Sequence, residues 1–216
     1  MNIDFARRQM IEQQVRAWDV LDPDILNVLR IVPREQFVPT GFEALAFADT
    51  EIPIGHGESM MTPTLEGRVL QALQLDSSDS VLEIGTGSGF LTACLARLAS
   101  KVTSIDIHAD FLKSAQANLE DSGIKNVEVL NMDATENLPD REFDAIAVTG
   151  SIQEFDPRLV MALAPEGRLF VVVGNAPAMD ARLIRRSGAS ESQTTSLFET
   201  TLTPLVHGAL PPQFLF

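Results

Sequence analysis

Three glycines at alternate positions, Gly85, Gly87 and Gly89, close an apolar run in the stretch SVLEIGTGSGF at 80–90. Without a Cβ, the backbone of such a turn lets a ligand approach closely where a strand passes into a helix. Carboxylates surround it in sequence. Glu83 sits inside the apolar run, Asp106 follows Gly85 by 21 positions at the end of a second run, and Asp133 ends a third in Asn131-Met132-Asp133-Ala134. A carboxylate at the end of the second strand of an open α/β sheet can accept both hydroxyls of a ribose, and one at the third lies where an adenine amino group would be met. The spacing is not that of a dinucleotide site, because Phe90 stands where a late glycine would be and a pyrophosphate on the helix N-terminus would be repelled by Glu83. A cationic, phosphate-free nucleoside meets no such objection, and S-adenosylmethionine fits this set better than NAD. Two structural readings stay open: Asp106 as a helix cap, and Asp133 as a turn-forming residue.

The remaining reactive residues suggest less. Cys94 is the single cysteine; it cannot form an internal disulfide and reads as a small core hydrophobe. His56, His108 and His207 are scattered and show no metal-ligand spacing, so metal-free chemistry is expected. With 30 acidic against 16 basic residues, the net charge of −14 argues against nucleic acid as a partner. Arg182, Arg185 and Arg186 read as a solvated face at helical spacing. No stretch of roughly 18 apolar residues could span a bilayer, and the first 16 residues are polar and mixed in charge, so a cytoplasmic protein without membrane attachment is expected.

These residues need a scaffold. From Ser80 onward short apolar runs alternate with helical stretches, as in repeated βαβ units around a parallel sheet. Strands are expected at 81–84, 102–106, 127–131, 143–149 and 168–173, with helices at 64–73, 90–99, 109–122 and 156–163. Ahead of them, 4–18 and 22–31 read as helices, the second capped by Asp22 with Pro23 in its first turn. The interval 32–63 is broken by Pro33, Pro39, Pro53, Gly41, Gly55 and Gly57 and is expected as long ordered loops. Past Gly174 the pattern weakens, with a late strand or hairpin arm at 198–206. The fold class expected is α/β, a Rossmann-like S-adenosylmethionine-dependent methyltransferase fold. Its central sheet is mostly parallel, with helices on both faces and a late antiparallel strand. One domain, 1–216, is expected: N-terminal helices and loop at 1–63, a cofactor-binding core at 64–174 and a C-terminal extension at 175–216.

Read as a whole, the chain resembles the protein-L-isoaspartate O-methyltransferases. The likeness runs through RRQMIEQQV at 7–15, VPREQFVP at 32–39, ADTEIPIGHGESMMTP at 48–63, VLEIGTGSGFLTACLA at 81–96, FDAIAVTG at 143–150, PEGRLFVVVG at 165–174 and LTPLVHG at 202–208. The resemblance implies that Gly85, Thr86, Gly87 and Gly89 line the methionine end of S-adenosylmethionine, Asp106 its ribose and Asp133 its adenine. Glu83, Ser88, Ile107 and Ala134 complete the expected cofactor-binding set. It further implies a protein or peptide substrate, methylated on the α-carboxylate of isoaspartyl residues as the start of repair. The family's loop reads Gly-Gln-Thr-Ile-Ser-Gln-Pro with its serine near the transferred methyl. Here, aligned on Gly57 and Pro63, Met61 occupies the serine position and Glu58 replaces a glutamine. The acceptor side is therefore expected around Ser59, Met61 and Thr62, with Ser59 or Thr62 supplying the hydroxyl. His56 is expected to brace the loop. After the fourth strand, Thr149-Gly150-Ser151-Ile152 stands where Ala and Pro are common in the family. Two alternatives remain: the same cofactor with a different, less acidic acceptor, or a non-catalytic module that recognises proteins.

Overall fold

The computed structural model describes residues 2–188 and 191–208. A seven-stranded sheet runs through its centre in the order β5-β4-β3-β6-β7-β8-β9. Its strands are β3 (Ser80–Ile84), β4 (Lys101–Asp106), β5 (Val127–Asn131), β6 (Phe143–Ile152), β7 (Leu163–Asn175), β8 (Ala178–Arg186) and β9 (Ser192–Thr200). The first five pair in parallel, and β8 and β9 add to the β7 edge in antiparallel fashion. Successive residues of the central strands face opposite sides of the sheet. Val81, Ala145, Ala147, Phe170 and Val172 enter one apolar cluster, and Leu82, Ile84, Ile146, Val148, Leu169 and Val171 enter the other. Burial on both faces is why these segments read as nearly continuous apolar runs.

Helices cover both faces. On the first lie α2 (Pro23–Ile31), α3 (Pro63–Leu73) and α4 (Phe90–Leu98), which bring Leu29, Leu70 and Leu95 into the cluster, together with Leu119 of α5 (Ala109–Asp121). On the second, the short α6 (Arg158–Met161) contributes Leu159 and Val160. The helix expected at 156–163 is shorter because Asp156 accepts from the Arg158 N–H at its start and Leu163 already pairs with Phe143. Asp22 caps α2 as expected, its Oδ1 accepting from the Asp24 N–H at 2.8 Å.

Three expectations are corrected. The helix expected at 4–18 is α-helical only over Ile3–Gln9, here α1, and continues as a π-helical stretch, Met10–Val15, and a 3₁₀ turn, Arg16–Trp18. The loop region contains a hairpin, β1 (Ile52–Gly55) and β2 (Glu58–Met60), closed by two residues with positive φ, His56 at 53° and Gly57 at 85°; that pair suits the tight turns whose twist matches two antiparallel strands. The late region holds two antiparallel strands, not one, and strand structure ends at Thr200 rather than continuing to 206. Arg182, Arg185 and Arg186 are accordingly on β8, not a helix, where Arg182 pairs with Asp180, Arg185 donates to Gln74 and Arg186 pairs with Glu142. Of the expected C-terminal extension, 209–216 lies outside the described residues. Among the described residues, no helix is long and apolar enough to cross a membrane.

Candidate active site

At the carboxyl ends of β3, β4 and β5 the chain opens into a cleft. Its walls include Gly85 and Gly87 after β3, Asp106, Ile107 and His108 after β4, and Met132, Asp133, Ala134 and Thr135 after β5. The carboxyl edge of an open α/β sheet is where ligands bind. Gly85 adopts φ +103°, and a Cβ there would stand 2.2 Å from Thr149 Oγ1. That hydroxyl lies 2.9 Å from the Ile84 carbonyl and 2.8 Å from the Gly85 carbonyl, to which it donates. The end of β6 thus reserves the space a side chain would take, and the turn can only be glycine.

Asp106 is buried, and its two carboxyl oxygens accept one backbone N–H each, from Gly87 at 3.0 Å and His108 at 2.9 Å. Each oxygen keeps a lone pair for a ligand hydroxyl. Asp133 is both a turn former and a cleft residue. Its Oδ1 accepts from Thr135 N–H and Oγ1, and its Oδ2 lies 2.7 Å from His207 Nδ1. Burial tends to raise the Asp133 carboxyl, but the hydrogen bonds from Thr135 and His207 outweigh it and hold the group below the usual carboxylate range. His207 belongs to a C-terminal segment anchored at Ser151. Ser151 N–H donates to Thr203 O, Leu205 N–H donates to Ser151 O, and Leu205 and Val206 form part of the cleft wall. Gly150 makes room for it, since a Cβ there would meet Leu205 Cδ2 at 2.6 Å.

Glu83 occupies a different place from the one its sequence position suggests. It is fully buried under the turn, with Oε2 accepting from Ser104 Oγ and Thr92 Oγ1 at 2.5 Å each, while Oε1 has no partner among the described residues. Burial pushes its carboxyl up to about 8, against the pull of those two hydrogen bonds. At neutral pH it is therefore mainly protonated, and the charge-repulsion argument against a pyrophosphate weakens accordingly. Thr86 turns inward to share a hydrogen bond with Ser104. Gly89 is not among the residues lining the cleft; its missing Cβ lets α4 approach Ala115 of α5, which a Cβ would meet at 3.0 Å.

A second, smaller cavity adjoins the first and shares Ile54, Ser59, Gly85, Gly87 and Thr149 with it. Its other walls include Met60, Met61, Glu66, Glu83, Thr86 and Ser88. Ser59 therefore stands at the junction, and Met61, 6% exposed, forms an apolar wall. Thr62 lines neither cavity. Its hydroxyl caps α3 by accepting from Leu65 N–H and is hydrogen-bonded to Thr64 Oγ1, so it is not free to serve the acceptor side. What holds this loop was not foreseen. Arg34, wholly buried, donates from Nε to the Ala46 carbonyl and from a terminal nitrogen to the Met61 carbonyl, pairs with Glu66, and packs over the Phe90 ring. Burial raises the Glu66 carboxyl to about 7, opposed by the Arg34 charge. A lone arginine between two prolines in VPREQFVP was the available signal. The histidines are not all scattered either: His56 stacks on His108 and bonds Asp110, bracing the hairpin against α5.

Comparison with known proteins bears on this arrangement. Residues 6–210 match the family model described as protein-L-isoaspartate(D-aspartate) O-methyltransferase. The chain belongs to this family. A protein-L-isoaspartate O-methyltransferase of Koribacter versatilis is 36% identical over 201 residues, covering 93% of this chain and 90% of the relative. One of Methanoculleus marisnigri is 37% identical over 202 residues, covering 93% and 91%. The same fold is seen in a solved protein-L-isoaspartate O-methyltransferase with a TM-score of 0.79 at 22% identity, covering 92% of this chain and 65% of that one. It is seen again in a Plasmodium falciparum structure described as a candidate member and solved with S-adenosyl-L-homocysteine, with a TM-score of 0.78 at 19% identity, covering 95% and 98%. Of the loop residues, Glu58 lines the cleft, Met60 and Met61 line the smaller cavity, and Ser59 lines both.

Proposed function

We propose that this chain is an S-adenosylmethionine-dependent O-methyltransferase that methylates the α-carboxylate of isoaspartyl residues in damaged proteins. Family membership over nearly the whole chain carries the reading, and the residues present fit the cofactor. Asp106 keeps a lone pair on each oxygen for ribose hydroxyls, Asp133 and Ala134 of the cleft wall would meet the adenine, and Ile107 adds apolar wall. The side-chain-free turn at Gly85 and Gly87, with Thr86 and Ser88 beside it, leaves room for the methionine end where the two cavities meet. When bound, S-adenosylmethionine supplies an electrophilic methyl group on a sulfonium.

The protein's part is positioning. An acceptor carboxylate with an ordinary pKa near 4 is already ionised at neutral pH, so no general base is needed. Ser59 is the hydroxyl placed to guide that carboxylate, while Met60 and Met61 keep the junction dry. The proposal includes a single methyltransferase domain over 1–216, a protein partner as substrate and a cytoplasmic location. Purified protein with labelled S-adenosylmethionine should methylate an isoaspartyl peptide and spare its aspartyl twin. A second reading, the same cofactor with a less acidic acceptor, is favoured by Met61 alone, and it is the outcome if cofactor binds but neither peptide is methylated.

A further inference from the structure

At the mouth of the cleft, two elements distant in sequence bring together three metal-ligating side chains. His56 lies in the turn of the β1–β2 hairpin; His108 and Asp110 open α5. Their ligand atoms lie within 4.8 Å of one another. His56 Nε2 is 2.9 Å from Asp110 Oδ2. The two imidazoles stack with centroids 4.1 Å apart and planes 7° from parallel, and Phe111 packs edge-on against both at 5.2 and 5.1 Å. His108 Nε2 is buried without a hydrogen-bond partner among the described residues, an uncommon state for a side-chain nitrogen that can both ligate and bond. Glu58, on the same rim, is electrostatically coupled to both histidines.

The geometry points to a divalent transition-metal site formed by His56, His108 and Asp110. Two imidazoles and a carboxylate are the donor set of borderline cations such as Zn²⁺, which takes three protein ligands and leaves a fourth position to solvent. The two rings are stacked rather than convergent, so coordination would turn them toward one point, the exposed His56 ring exchanging its direct bond to Asp110 for the ion. The positive end of α5 opposes a cation, and the charges of Asp110 and Glu58 offset it. Cys94 is buried and does not compete as a ligand. A bound ion would tie the hairpin, and with it Ser59, to the start of α5, whose cap residue His108 donates its N–H to Oδ1 of Asp106 at the end of β4. The site is thus a clasp across the cleft mouth, and it does not depend on which acceptor the enzyme methylates.

The test is calorimetric titration of the untagged full-length protein with Zn²⁺, in parallel with His108→Ala and Asp110→Asn. Saturable binding to the wild type, weakened on the order of 10-fold or more in both variants, is the expected result, together with slowed hydrogen exchange of amides 52–60 when Zn²⁺ is present. Asp110 is exposed, so Asp110→Asn remains informative should His108→Ala fail to fold. Absence of binding, binding that Asp110→Asn leaves unchanged, or binding without protection of the hairpin would each overturn the clasp.

Discussion

Gly85 and Glu83 illustrate what a single residue contributes. At Gly85, φ +103° and a 2.2 Å approach to Thr149 Oγ1 forbid any side chain. Gly85→Ala is expected to cost at least about 1–2 kcal/mol from the backbone conformation alone and to weaken cofactor affinity, as denaturation and calorimetry would report. Glu83 has an ordinary value of 4.5 and a folded value of about 8. Between those pH values the folded chain holds a proton that the unfolded chain has released, so this group's contribution to stability falls as pH rises through the window. A cation brought near the carboxyl favours its ionised form. The ratio of S-adenosylmethionine to S-adenosylhomocysteine affinity should therefore climb as pH passes 8 in the wild type, and Glu83→Gln should flatten both the ratio and the stability slope. At the acceptor side, Met61→Ser would restore a hydroxyl where the family has one. A hydrogen bond to a charged group is worth roughly 1.5–3 kcal/mol, so kcat/KM for an isoaspartyl peptide should rise on the order of 10-fold or more. The glycine turn and both cleft aspartates were legible because their backbone roles constrain residue type. Glu83's burial was not, since a carboxylate within an apolar run reads the same whether it faces a ligand or hydroxyls inside the core.

The elements position these groups through a few joints. Thr62 caps α3, so Thr62→Ala should lower stability by about 1 kcal/mol in urea denaturation while leaving kcat/KM for the peptide near wild type. A large loss of kcat/KM without loss of stability would instead give the hydroxyl a place at the acceptor. Arg34 joins the 43–48 segment, the Met61 carbonyl and Glu66 of α3. Removing it by Arg34→Met strands a buried carboxylate, expected to cost about 3–5 kcal/mol, and adding Glu66→Gln should recover much of that. Of the elements, β3, β4 and β5 and the helices around them were readable from period alone. The hairpin was not, because Pro53 and the five polar or glycine positions 55–59 mask the alternation of Ile52, Ile54 and Met60. Strand β8 was missed because its arginines are spaced as on a helix, although on the strand they find separate partners in Asp180, Gln74 and Glu142.

For the whole molecule, the sheet order gathers at one edge residues drawn from nearly the full length of the chain: Ser59 from the hairpin, Gly85 and Asp106 from the core, Leu205 and His207 from the C-terminal segment. Sequence patterning located the core of that edge. It did not locate the segment that closes over it, since 201–208 has no period of its own and is held by Ser151 and Asp133 rather than by strand pairing along its length. The account's central claim is that the edge built around Asp106 binds S-adenosylmethionine. Calorimetry on the wild type and on Asp106→Asn tests it directly. The account predicts one saturable site in the wild type and affinity lower by on the order of 10- to 150-fold in the variant, the equivalent of one charge-assisted hydrogen-bond pair. No binding to the properly folded protein, or equal binding by both, would contradict it.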